Sequence, residues 1–140
     1  MKRIFEELAF ANVFAPQSVE ASTEKTTSFV DASGAGEIAF LVSAAALGAG
    51  KKVTVTVMGS DQSTGGNAKA IGDAVDFADS VGTEPQTVVV SYKVDPANPR
   101  YIGLKFQHDA AAAVVCGVSA AARSLDMPAI NNWTLAKWPH

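Results

Sequence analysis

Residues 86–107 constrain the fold more than any other stretch of the chain. A run from Thr87 to Val94 leads into the turn cluster Asp95–Pro99. A second run follows, in which Arg100, Ile102, Leu104 and Phe106 alternate with Tyr101, Gly103, Lys105 and Gln107. Strict alternation marks a strand with one face buried and the other in water. Pro96 and Pro99 cannot donate to a ladder, so pairing cannot continue through the cluster. The economical expectation is an antiparallel hairpin spanning residues 86–107.

The same period recurs elsewhere. Ile38, Phe40 and Val42 share one face, with Ala39 and Leu41 on the other. Val53, Val55 and Val57 point inward and Thr54 and Thr56 outward, which suits a sheet with one solvated face. Thr26–Val30 is expected to be the first strand and Ala110–Ala120 the last. A helix competes at the last, because alanine is the best helix former. Asp31–Gly36 and Gly59–Asn67 are turn-rich. Residues 68–81 fit helix, strand or loop: Ile71, Val75 and Ala78 have helical spacing, while Gly72 and the aspartates weaken it. About six short strands separated by turns make the chain mainly β, an antiparallel β-sandwich of jelly-roll-like kind. The sandwich core is expected over residues 26–123. An N-terminal arm over 1–25 holds a short helix, with Ile4, Phe5, Leu8 and Ala11 at helical spacing and Pro16 as its stop. Residues 124–140 form an irregular C-terminal tail.

A chain of 140 residues makes one domain with enough core to need no disulfide or metal staple. Charged residues are only 18%, which suits a chain that hides surface in an assembly. A net charge of −3 gives no electrostatic footprint for nucleic acid. Glu6 and Glu7 interrupt the apolar run that a secretion signal requires. No window is long and apolar enough to span a membrane as a helix. Synthesis in the cytoplasm is therefore expected.

No constellation carries obvious chemistry. Asp73, Asp76 and Asp79 recur every three residues and could face a hard cation from a helix, though a solvated face is the plainer reading. Asp61, Ser63, Gly65 and Asn67 loosely match a calcium loop, but Gly72 stands where the bidentate glutamate belongs. Leu47–Lys52 lacks the full phosphate-loop spacing and leads into a strand. Ala121 occupies the second glycine position of a nucleophile elbow around Ser119. His108 beside Asp109 reads as a surface pair, since no nucleophile accompanies it. Cys116 reads as a small buried hydrophobe. We therefore expect no enzyme activity, no cofactor and no bound metal. More telling are large aromatics outside the expected strands: Phe5, Phe10 and Phe14 in the arm, Trp133 and Trp138 in the tail. Either both termini fold back on their own sandwich, or these rings make inter-subunit contacts, where aromatics carry much of the binding energy.

The order of segments resembles a family. Phe40-Leu41-Val42, then Val53–Val57 followed by Gly59–Thr64, then Val88–Lys93, Asn98–Ile102 and a final Ala-Val strand are similar to small virion proteins encoded among the head genes of tailed bacteriophages. The resemblance covers roughly residues 26–120. It implies a β-sandwich acting as a capsid decoration or cement protein. Its partners would be the major capsid protein and copies of itself, as a trimer or another oligomer, on the capsid surface of the virion. Two alternatives stand beside it. One is another virion component, such as a tail, head-fibre or adaptor subunit. The other is a carbohydrate-binding β-sandwich module using Tyr92 and Tyr101.

Overall fold

The computed structural model describes residues 8–124, and among them every regular element is a strand. In chain order these are β1 (Leu8–Val19), β2 (Lys25–Thr26), β3 (Val30–Asp31), β4 (Ala35–Ala44), β5 (Lys52–Ser60), β6 (Lys69–Ala70), β7 (Val75–Ala78), β8 (Gln86–Lys93), β9 (Tyr101–His108) and β10 (Val114–Ser124). One sheet has the order β1-β10-β4-β8. In the other, β9 and β5 lie side by side; β2 and β3 both pair with β9, and β6 and β7 both pair with β5. β2 with β3, and β6 with β7, are thus two strands each broken into pieces. The chain changes sheet at every other connection except β5 to β6. This wrapping of antiparallel strands is the jelly roll.

Alternation indicated the core-facing side chains correctly, although Thr56, expected in water, is only 8% exposed. Ile38, Phe40, Ile102, Leu104 and Phe106 are at most 1% exposed, and Val42, Val53 and Val55 join them. Val57 is half-buried and packs on the same core. Burial of each large apolar side chain contributes about 1.5–3 kcal/mol. The expected hairpin does not form. β8 pairs with β4 and β9 pairs with β5, so residues 94–100 cross from one sheet to the other. Two strands with apolar faces can satisfy them by facing each other across the ~10 Å core as well as by lying adjacent, and alternation does not distinguish these. Residues 68–81 contribute the short β6 and β7, and residues 114–124 are a strand, not a helix.

The N-terminal segment also differs from expectation. Leu8–Val19 is an extended edge strand paired with β10, not part of a helical arm, so the sandwich begins at Leu8. The alternation there is obscured by a bulge. Asn12 faces Ser119, yet Phe14 faces Val118, leaving Val13 as the extra residue. Without the bulge, Phe10 and Phe14 would share a face, because a strand repeats every two residues. With it, Phe14 turns inward and meets Phe106 edge-on, ring centroids 5.0 Å apart, while Phe10 stays 47% exposed. Pro16 is tolerated because β1 is a sheet edge and needs no ladder donor on its open side.

Candidate interaction surface

The outer face of the four-stranded sheet is assembled from the residues that alternate with the core. The registers between β1, β10, β4 and β8 align them in rows: Phe10, Ala121, Ala39 and Ser91, then Asn12, Ser119, Leu41 and Val89. Gly117, Ser43 and Thr87 form the next row. None of these residues is charged. Within these four strands charge appears only at one end of the face, where Arg123, Glu37 and Lys93 lie side by side with alternating sign. Val89 and Val115 are 54% and 52% exposed, matching Phe10. Toward the other end the small side chains leave a shallow hollow of about 430 Å³, rimmed by Pro16 and Pro85 and lined by Ser43, Ala45, Val115 and Gly117. Gly117 fits closely there: a β-carbon would approach Pro16 Cγ at 3.2 Å, so the proline would have to give by a few tenths of an ångström. The result is a smooth, largely uncharged plate.

Several of the polar candidates are absorbed elsewhere. Asp76 accepts hydrogen bonds from Thr54 Oγ1 (2.6 Å) and Lys52 Nζ (3.1 Å), which hold its carboxyl below the usual carboxylate range. Asp73 is exposed. Asp79 is buried and accepts from the backbone N–H groups of Leu47 (3.1 Å) and Gly82 (2.6 Å) and from Gln86 Nε2 (3.3 Å). It ties together the loops on either side of β5 and β7. The three aspartates therefore do not converge, and among the described residues no group of three or more His, Cys, Asp or Glu is placed to hold a metal ion. At the other end of the sandwich Asp31 receives a two-pronged bond from Arg100, Nε to Oδ1 at 2.8 Å and Nη2 to Oδ2 at 2.7 Å. That partnership raises the pKa of the guanidinium.

His108 is not on the surface. It is 1% exposed and continues the inward series of Ile102, Leu104 and Phe106, a signal present in the sequence. The Ala110 N–H donates to Nδ1 (3.2 Å), so Nδ1 is an acceptor and Nε2 carries the proton it gives to the Val19 carbonyl (2.7 Å). This histidine fastens the end of β1 to β9. Cys116 is buried, and desolvation pushes its thiol pKa up, away from the thiolate that reactive cysteines need. Of the aromatics singled out in the sequence, Phe10 lies on the open plate and Phe14 in the chain's own core; Phe5, Trp133 and Trp138 lie outside the described residues. Tyr92 and Tyr101 share no platform. The Tyr92 hydroxyl accepts from Asn98 Nδ2 (2.9 Å) beside the core, and Tyr101 lies under the Arg100 guanidinium in the other sheet.

No protein-family model matches the sequence, and no curated protein does. Solved structures superpose on it to different extents. The PBSX exported protein XepA superposes with a TM-score of 0.57 at 12% identity, over 84% of this chain and 38% of XepA. This chain therefore spans well under half of XepA. Dimeric latent PorU from Porphyromonas gingivalis gives a TM-score of 0.48 at 13% identity, over 84% of this chain and 12% of PorU. A subunit of Bacillus endospore appendages, disulfide-linked pili, gives 0.46 at 15%, over 86% of this chain and 90% of that one. At these identities the likeness to XepA is one of fold: an antiparallel β-sandwich.

Proposed function

We propose that this chain is a non-enzymatic structural protein of a virion, and that it decorates the head of a tailed phage by laying the outer face of its four-stranded sheet on the major capsid lattice. The observation that carries this reading is the plate itself: uncharged rows across four strands, with Phe10, Val89 and Val115 about half exposed. Aromatic and aliphatic side chains left in water on a flat face mark a protein-binding surface. Further support comes from the resemblance over residues 26–120, and from the way Asp31, Asp76, Asp79 and His108 are tied up in holding the fold. A jelly roll by itself hosts many functions, so the fold adds little. Partners on this reading are the major capsid protein and further copies of the chain, with no cofactor. The nearest alternative is another virion component, of tail, head-fibre or adaptor kind.

Mass spectrometry of purified virions tests the reading by copy number relative to the major capsid protein. Decoration requires copies in the hundreds per particle. A handful of copies assigns the chain to a vertex or tail instead, and absence from virions overturns the proposal.

A further inference from the structure

The four sheet edges of this sandwich are not equivalent. β1 carries Pro16 and two register irregularities. The edge formed by β2 and β3 is cut into two-residue pieces, and the edge formed by β6 and β7 into pieces of two and four residues. Interruption, proline and bulges are the devices by which folded proteins stop their edges from pairing with other chains. β8 has none of them. It runs straight for eight residues, Gln86–Lys93, in unbroken register with β4, without proline or bulge. Among the described residues its only strand partner is β4, so every second N–H and C=O points away from the sheet. Its inward side chains, Val88, Val90 and Tyr92, remain only half-buried, because no strand lies beyond them.

We propose that β8 is a self-recognition edge, and that two copies of this chain pair through it, antiparallel about a two-fold axis at Val89, to give a continuous eight-stranded sheet. The strand is self-complementary in that arrangement. Directly opposite residues of an antiparallel pair share a face. Val89 then meets its own copy, Val88 meets Val90, and Thr87 meets Ser91. The one charge of the strand, Lys93, falls at opposite ends of the joint, next to the partner's Glu84. Neither Lys93 nor Glu84 has an ion-pair partner among the described residues. Parallel pairing would instead place the two lysines together. The outer plates of the two copies join into one surface, and the half-buried Val88, Val90 and Tyr92 gain cover. Pairing is a property of the chain alone and holds whether or not the chain binds a capsid.

The test uses the full chain in solution. Sedimentation analysis should give a dimer or a higher even-numbered state, shifted at least tenfold toward monomer by Val89→Lys, which sets two ammonium groups on the axis. Phe10→Glu, on the same plate but at the opposite edge, should leave the dimer intact. The register is tested by covalent capture. Opposite α-carbons in an antiparallel pair lie about 4.5–5.5 Å apart, within disulfide range. Val89→Cys should oxidise to a covalent dimer. Phe10→Cys and Val115→Cys, at similar exposure, should not, and Cys116 is buried. A wild-type chain that stays monomeric overturns the proposal. So does a dimer lost with Phe10→Glu, or cross-linking at residue 10 as efficient as at 89. Should Val89→Lys fail to fold, the cysteine series decides.

Discussion

The two outer faces of the sandwich are built from the same strand chemistry and end differently. On the β5–β9 sheet, polar side chains find partners within the chain. Lys52 pairs with Asp76 at 3.1 Å and Lys105 with Glu24 at 3.4 Å, and the Phe29 ring lies over Gly103. Short pieces of strand and loop cover that sheet's margins. On the β1-β10-β4-β8 sheet, nothing in the described chain crosses the face, and its rows carry small or apolar residues. The lesson is about where a surface's needs are met. Exposed ion pairs contribute little to stability, yet they make a face content in water. A face without them, carrying Phe10, Val89 and Val115, gains by being covered.

That contrast can be tested, beginning with the core both sheets share. Phe106→Ala removes a ring that is 1% exposed and packed on Phe14, and should cost about 3–5 kcal/mol in urea unfolding. Phe10→Ala should cost less than about 1 kcal/mol, since its ring is half in water. Equal losses would mean that Phe10 is covered by the chain itself and the plate is not free. Next, Gly103→Ala places a β-carbon 2.8 Å from Phe29 Cε1 and must push the ring off the β5–β9 face, at about 1–3 kcal/mol. Gly117→Ala, on the plate, meets Pro16 at 3.2 Å and should cost clearly less. The reverse order in thermal melts would exchange the roles of the two faces.

Function separates them further. Phe10→Glu should lower capsid binding in co-sedimentation at least tenfold, equivalent to about 1.4 kcal/mol, while leaving the fold intact. Lys52→Ala on the opposite face should leave binding unchanged. The smallest effect concerns Asp76. Its folded pKa is lowered, so its contribution to stability is present above the unfolded carboxylate pKa and is lost as pH falls through the folded value. Asp76 is exposed, so Asp76→Asn should flatten the acid limb of the stability curve only slightly, in melts followed from neutral pH to below the carboxylate range.

Much of this arrangement was legible in the residues, and the failures share a cause. Alternation identifies the face of each residue, so Ile38, Phe40, Val42, Ile102, Leu104 and Phe106 were placed correctly. It says nothing of neighbours, so the pairing of β8 with β4 instead of β9 was not visible. The helical spacing of Leu8 and Ala11 competed with a strand whose own period is broken at Val13 by a bulge, and a bulge exists only in relation to a partner strand. His108 was readable as buried, one step along the series from Phe106, but its acidic neighbour Asp109 drew it toward the surface. The plate was half visible: Leu41 and Ala39 were assigned to the face opposite Phe40. What made it a plate was the register that brings Val89 and Phe10 onto the same side. The buried role of Asp79 had no sequence signal, because its partners are backbone N–H groups of distant loops.

The pairing of β1 with β10 has a consequence for how the chain comes into being. The first and last described strands lie side by side, so the four-stranded sheet cannot close until its last member leaves the ribosome. At synthesis rates of about 5–20 residues per second, Val13, Phe14 and Val19 wait roughly 5–20 seconds for β10. During that interval β4 has no β10 beside it, and Phe106 is made before its sheet can be roofed. Folding of such a topology is slow, because its pairings join residues far apart in the chain. The nascent chain is most vulnerable to aggregation just before β10 emerges, and substitutions in β10 should lower the yield of folded protein more than equally destabilising ones in β5.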